Sequence, residues 1–213
     1  DDCIPQKSFF RYVEELLKTY ENDDRIGMIA GTNPVKKYIM NDSYCFSKYK
    51  ACWGWATWRR AWRNMDIEMS WRKSSCYKSV LCNMGFRAKD VNYWVHRLKL
   101  IDLKEVSAWD WQWYFSLSAN NQLTIFPQIS LISNIGFGVG ASHTAFGSSS
   151  RNRAFGELSF PLKHPSNILP DYFFDKLFYK TNNSFYNLTM MHIPLPIKRF
   201  IKHLLRIILH KGA

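Results

Sequence analysis

The stretch that decides the fold is residues 25–31 (RIGMIAG), an apolar run of strand length that ends at a glycine. Before it, residues 8–20 carry apolar side chains at helical spacing, with Ser8 as the predicted N-cap. After it, apolar runs of strand length recur at 43–46 (SYCF) and 123–127 (LTIFP). This succession of helix and strands predicts an α/β fold.

The aromatic residues make up 16% of the chain and gather in two segments. In the first, the spacing of Trp55, Trp58 and Trp62 predicts a single helix face. The second, residues 109–119, reads as a ring-rich helix, and a mainly helical insertion is predicted between them at 70–103. Flat rings stack on sugars as they do on each other, so a carbohydrate site and an aromatic core both remain open. For Trp58 and Trp62, core packing is the favoured interpretation.

The net charge of +12 is unevenly spread, because residues 194–213 contain five Lys or Arg and no acidic residue. Within them, residues 196–210 have the clearest amphipathic helical pattern. No zinc-finger spacing or RNA-recognition motif is found, so nucleic acid is not an expected partner. A basic amphipathic helix suits an anionic membrane surface, and docking on the protein's own core is the alternative.

Five cysteines occur, and they form neither a CxxC pair nor a metal-type spacing with histidine. They are Cys3, Cys45, Cys52, Cys76 and Cys82. We interpret them as reduced and mostly buried thiols of a cytosolic protein. The expected location is therefore the cytoplasm, with peripheral contact at the inner face of the cell membrane through the C-terminal helix.

Three carboxylates are candidates for chemistry. Adjacent Asp1 and Asp2 can hold a divalent cation such as manganese or magnesium against a diphosphate, although a solvated terminus is the plainer interpretation. Asp110 lies between Trp109 and Trp111, whose rings should desolvate the carboxylate and raise its pKa. This environment suits a general base, with the two rings as an acceptor platform, and a helix N-cap among core aromatics is the alternative.

Two glycine-containing segments add candidate binding residues. Residues 134–144 (NIGFGVGASHT) form a glycine-rich loop in which His143 is either a metal or phosphate ligand or an ordinary surface histidine. Its G-x-G-x-G spacing is not the dinucleotide-binding fingerprint. Gly54 lies between Trp53 and Trp55 and permits a close approach, so these three residues are predicted to line a sugar site.

Four segments occur in one order along the chain. They are residues 1–33 (DDCIPQKSFFRYVEELLKTYENDDRIGMIAGTN), 44–62 (YCFSKYKACWGWATWRRAW), 109–117 (WDWQWYFSL) and 130–144 (SLISNIGFGVGASHT). Together they resemble bacterial family-2-like glycosyltransferases of the GT-A fold, often found with surface-polysaccharide genes. They are also distantly similar to animal N-acetylglucosaminyltransferase I in its acidic triplet, Gly-Trp turn and Trp-Asp motif.

The resemblance implies a metal-dependent, inverting transfer of a sugar from a nucleotide-diphosphate sugar to a hydroxyl of a glycan or glycolipid acceptor. Asp1 and Asp2 match the end of the family's acidic triplet, with Asp2 as metal ligand and Asp1 near the ribose or donor sugar. Asp110 matches the catalytic base, residues 53–55 match the loop behind the sugars, and His143 matches a histidine that faces the metal or diphosphate.

The resemblance also implies the architecture. Residues 1–165 would be the metal and acceptor side of a GT-A α/β/α sandwich with a mixed sheet and a helical insertion. Residues 166–213 would be an extension that carries the amphipathic helix. The nucleotide-binding half is expected upstream of residue 1, so this chain alone is expected to be inactive. A non-catalytic carbohydrate- or membrane-binding module and a glycoside hydrolase remain alternatives.

Overall fold

The computed structural model describes residues 2–35, 38–85, 88–105, 109–135 and 155–182, together with Ile197. Its strands are β1 (Cys3–Pro5), β2 (Ile26–Ala30), β3 (Tyr44–Ser47), β4 (Trp55–Ala56), β5 (Leu123–Pro127) and β6 (Ile132–Asn134). Its helices are α1 (Lys7–Thr19), α2 (Arg59–Trp62), α3 (Tyr77–Cys82), α4 (Ala88–Asp102), α5 (Asp110–Ala119) and α6 (Tyr172–Asn182), with a 3₁₀ turn at Ser70–Lys73.

A mixed four-stranded sheet is the centre of this α/β fold, in the strand order β3-β5-β2-β4. The inner strands β2 and β5 are parallel, with Ile29 opposite Ile125, and both outer strands are antiparallel to their neighbours. Strands β1 and β6 form a separate antiparallel ribbon, with Cys3 opposite Asn134. The predicted α/β class and mixed sheet are therefore confirmed.

Side chains alternate between the two faces of the sheet along each strand, so these apolar strands present apolar side chains on both faces. Helices cover both faces as a result. Phe46 and Ile125 pack with the buried residues of α1. Their neighbours Cys45 and Phe126 belong to a second core shared with α6. Met28, on β2, packs with α3, α4 and α5 in a third. Within the described residues, α1 covers one face of the sheet, and α3, α4, α5 and α6 cover the other.

Most predicted elements are confirmed to within one or two residues. Helices predicted at 8–20 and 109–119 correspond to α1 and α5, and the strands predicted at 25–30, 43–46 and 123–127 correspond to β2, β3 and β5. The insertion predicted between the two ring-rich segments is helical, but it is broken into the 3₁₀ turn, α3 and α4.

The start of α1 differs from the predicted cap. The helix begins at Lys7, and no local side chain caps it. Instead, the carboxylate of Glu157 accepts the backbone N–H groups of Lys7 at 3.2 Å and of Ser8 at 2.8 Å. The Ser8 hydroxyl in turn accepts the Leu158 N–H at 3.2 Å. A carboxylate is favourable at the positive end of a helix, and hydrogen bonds from the Ser8 hydroxyl, and then from the Ser8 and Lys7 N–H groups, lower the pKa of Glu157.

The predicted single helix face of three tryptophans is wrong. Trp55 lies in β4, where it pairs with Ala30, and Trp58 precedes α2, so only Trp62 is helical. Core packing is confirmed for Trp58, which is buried and donates its indole N–H to the Leu17 carbonyl at 2.8 Å. It is wrong for Trp62, whose side chain remains 41% exposed.

Helix α6 lies in the segment interpreted from the sequence as an extension, yet it contributes to the core. Phe174 and Phe178 are buried and contact Phe126 of β5, with ring centroids 5.0 and 5.8 Å apart. Between them, Asp175 is also buried and accepts a hydrogen bond from the Ser47 hydroxyl. Residues 172–182 therefore pack as part of the same body as the sheet.

The cysteines are free thiols, but the interpretation that most are buried is wrong. Cys45 is buried, Cys3 and Cys52 are half-buried, and Cys76 and Cys82 are exposed. Within the described ranges, no helix has both the length and the apolar character needed to cross a membrane.

Candidate functional site

The predicted Gly-Trp turn lies against the ribbon of β1 and β6. Gly54 has a φ of +56°, and a Cβ atom added there would lie 2.3 Å from Cδ1 of Ile132. The Gly54 carbonyl accepts the Gly31 N–H at 2.6 Å, and a Cβ atom on Gly31 would lie 2.7 Å from the same oxygen. Both positions therefore require glycine, and the turn is fixed against the end of β2.

The same turn contacts the N-terminal strand that carries the predicted metal ligand. The Gly54 backbone hydrogen-bonds to the thiol of Cys3, whose pKa is raised mainly by burial. Asp2 precedes Cys3 and is exposed. Asp1 and His143 lie outside the described residues. Among the residues that the structure describes, no three His, Cys, Asp or Glu side chains gather as a metal-binding group.

The predicted base, Asp110, is the first residue of α5 and is half-buried. The Cys52 thiol donates to its Oδ2 atom at 3.6 Å, and Cys52 also hydrogen-bonds with Tyr114. Burial raises the pKa of Cys52 to about 11, and it raises that of Tyr114 well above its usual value. Both groups therefore remain protonated at neutral pH, and Cys52 can serve as a donor that orients the carboxylate.

Cys52 is a site residue that sequence reasoning missed. Cysteine spacing indicates disulfide pairs and metal sites, and it does not indicate whether a single thiol lies next to a carboxylate. Its position directly before Trp53 was the available signal, because a turn that approaches the predicted site also brings its flanking residues near.

Four indole rings form what we call the tryptophan cluster, which comprises Trp55, Trp62, Trp109 and Trp113. Trp62 lies 5.0 Å from Trp113, 6.0 Å from Trp55 and 6.0 Å from Trp109 between ring centroids. Trp55 is 6.1 Å from both Trp109 and Trp113. The cluster has a fully buried base, Trp113, beneath two rings that are 41% and 48% exposed, Trp62 and Trp109.

The two rings that flank Asp110 have different surroundings. Trp109 belongs to the tryptophan cluster. Trp111 packs against α4 instead, where the Arg97 guanidinium lies 4.6 Å from its ring and Trp94 lies 6.5 Å away. The sequence prediction of a platform made by both rings therefore rests on Trp109 within the cluster, while Trp111 contacts the helical insertion.

Several predicted site residues meet around the segment 52–55. Gly54 contacts the strand that follows Asp2, Cys52 contacts Asp110, and Trp55 contacts Trp109. These contacts join three parts of the sequence, residues 2–3, 52–55 and 109–110. The helix predicted at 196–210 lies, apart from Ile197, outside the described residues.

Comparison of the chain with protein-family models, with curated proteins and with solved structures finds no match. The contacts around residues 52–55 are thus the basis for any functional argument.

Proposed function

We propose that this chain carries the metal- and acceptor-binding side of a nucleotide-sugar glycosyltransferase with a GT-A-type fold. The observation that carries the proposal is the meeting of three distant segments at residues 52–55. An exposed carboxylate at the end of β1, a tight glycine turn and a half-buried carboxylate beside exposed indoles are the parts that such a reaction requires. The mixed sheet with helices on both faces is compatible with that fold class.

Asp110 is the proposed general base. It takes the proton of the acceptor hydroxyl as that oxygen bonds to the anomeric carbon of the donor. The bond from the same carbon to the diphosphate breaks, and its electron pair leaves with the nucleotide diphosphate. Attack opposite the leaving group inverts the anomeric configuration. Cys52 orients the base by donating a hydrogen bond to one oxygen of its carboxylate.

Asp2 is the proposed protein ligand for manganese or magnesium, which supplies positive charge against the departing diphosphate. Its exposed carboxylate offers the oxygen donor that these cations prefer. His143, which lies outside the described residues, would be the second protein ligand to the metal, and Asp1 would lie near the ribose or donor sugar.

A non-catalytic carbohydrate-binding module is the second candidate. The half-exposed rings of Trp62 and Trp109 favour it, because aromatic surfaces bind sugars without any reacting group. The two candidates differ in their need for Asp110. A binding module keeps its affinity when Asp110 becomes Asn, whereas a transferase loses turnover.

Nucleotide release from a panel of nucleotide sugars tests the proposal, with the full-length polypeptide and added manganese or magnesium. We expect Asp110→Asn to lower the rate by about 10²- to 10⁴-fold, and we expect both Asp2→Ala and a chelator to abolish metal-dependent nucleotide release. Asp24→Asn is the matched control, because the Asp24 side chain is 90% exposed.

Full activity in Asp110→Asn would contradict the proposed base. Sugar cleavage that needs neither metal nor nucleotide would favour a glycoside hydrolase. A folded chain that releases nothing from any donor would favour the binding module.

A further inference from the structure

The exposed part of the tryptophan cluster is a corner made by two rings. Trp62 and Trp109 meet edge to face, with an interplanar angle of 90° and ring centroids 6.0 Å apart. Exposed large apolar side chains are common on protein surfaces, and this pair is distinguished by its place directly beside Asp110 and above the buried Trp113. Trp62 is also the residue that the sequence assigned to the core.

The base of the corner is rigid. Trp113 is fully buried, and its ring contacts both Trp62 and Trp55. Its indole N–H has no hydrogen-bond partner in the described part of the chain. An unpaired buried donor is costly, so ring contacts rather than a hydrogen bond fix Trp113 beneath the two exposed rings.

The two exposed rings lie beside Asp110, the proposed general base. Trp109 directly precedes Asp110, and Trp55 adjoins the glycine turn. A ligand that lies on Trp62 and Trp109 is therefore next to the only carboxylate assigned to proton transfer. An indole face attracts C–H groups that carry partial positive charge, and a pyranose with equatorial substituents presents axial C–H groups on its ring faces.

We propose that Trp62 and Trp109 form the subsite for the acceptor sugar, which is a pyranose with an uninterrupted C–H face. The identification of this sugar as the acceptor rests on the proposed function, whereas the stacking itself rests on the two rings. Trp62 acts as a binding residue in this subsite and takes no part in proton transfer.

Binding of simple glycosides tests the subsite without donor or metal. Methyl β-glucoside, β-galactoside and β-N-acetylglucosaminide are titrated in the presence of chelator, and binding is followed by saturation-transfer NMR and tryptophan fluorescence. Methyl α-mannoside is the comparison ligand, because its axial 2-hydroxyl and axial methoxy group interrupt both faces of the ring. We expect one or more of the β-glycosides to bind more tightly than the mannoside.

The variants then locate the binding. We expect Trp62→Ala and Trp109→Ala each to weaken binding by about tenfold, since the loss of one stacked ring removes about 1.4 kcal/mol. Trp62→Phe keeps a ring against Trp113 and should restore part of the affinity. Phe173→Ala is the control, because Phe173 is 62% exposed and pairs edge to face with Tyr172 at 5.5 Å.

Glycoside binding that is absent in the wild type, unchanged in Trp62→Ala, or equally weakened in Phe173→Ala would overturn the subsite. If Trp62→Ala does not fold, Trp62→Phe with native circular dichroism takes its place. A partial loss of affinity in that variant supports the subsite, and wild-type affinity in both Trp62→Phe and Trp109→Ala overturns it. Glycoside binding that depends on Trp62 in a chain without nucleotide release would leave the subsite standing while the transferase proposal fails.

Discussion

Two aromatic clusters of the molecule differ in the exposure of their rings and in the hydrogen bonding of their polar atoms. The phenol cluster, which comprises Tyr20, Tyr44, Phe46 and His164, buries its three benzene rings with edge-to-face contacts. Its hydroxyls are paired, because Tyr44 hydrogen-bonds to Tyr20 at 2.6 Å and to Nδ1 of His164 at 2.7 Å. The tryptophan cluster instead leaves two rings half exposed and one buried donor unpaired in the described ranges.

This difference separates stability from binding. The phenol cluster joins α1, β3 and the segment before α6, and its polar atoms add to the packing instead of opposing it. In the tryptophan cluster, the rings of Trp62 and Trp109 leave apolar surface in contact with water, which does not contribute to stability. Aromatic content is therefore a poor guide to function by itself, and the state of the ring faces and polar atoms is the better one.

The largest expected effect is on stability. Phe46→Ala should lower the free energy of unfolding by about 3–5 kcal/mol, because Phe46 is fully buried and its loss leaves a cavity. Trp62→Ala should cost about 1–2 kcal/mol, because much of that ring already faces water. Urea unfolding of the two variants and the wild type measures both. Equal losses would mean that the two clusters have the same structural role.

A smaller effect is expected from one hydroxyl of the phenol cluster. Tyr44→Phe keeps the ring but removes the group that bridges Tyr20 and His164, so a buried hydroxyl is left with one partner fewer. The free energy of unfolding should fall by about 1–3 kcal/mol. Tyr172→Phe is the control, because it removes a hydroxyl from a residue that is 54% exposed. A loss no larger than that of Tyr172→Phe would show that the phenol hydrogen bonds are not stabilising.

The smallest expected effect is on the reactivity of two thiols with iodoacetamide. One thiol lies on β3, and the other lies beside the tryptophan cluster. Cys45, between Tyr44 and Phe46, should stay unreacted until the chain unfolds, because burial raises its pKa far above neutrality. Cys52, beside the tryptophan cluster, has a pKa of about 11, so its labelling should be slow at pH 8 and should accelerate as the pH approaches 11. Mass spectrometry follows each site.

Exposed Cys76 and Cys82 are internal standards that should react first. Labelling of Cys45 as fast as that of Cys52 in the folded protein would argue against a closed core between β3 and α6.

Sequence patterns predicted the elements whose cause is local. Helix α1 and strands β2 and β5 follow from apolar spacing, and α5 begins at Asp110 as expected. Patterns failed where the cause is distant. The cap of α1 comes from Glu157, about 150 residues away, and Trp55 enters a strand only because β2 offers it a partner.

The candidate site was predictable in part for the same reason. Asp110, Gly54 and Trp109 could be named from residue type and motif order, and the structure brings them near one another through residues 52–55. Cys52 and Trp62 could not, because a thiol next to a carboxylate and a ring left uncovered are properties of packing rather than of spacing. Asp1 and His143 remain predictions.

The crowding of Gly31, Gly54 and Ile132 has a consequence for how the sequence can change through descent. A side chain at Gly54, besides its unfavourable φ, would first strike the side chain of Ile132, so a smaller residue at 132 would have to arise before it. A side chain at Gly31 would also strike the Gly54 carbonyl, which no substitution can trim. The three positions are therefore coupled by epistasis, and among related sequences Gly31 should be the last of them to vary.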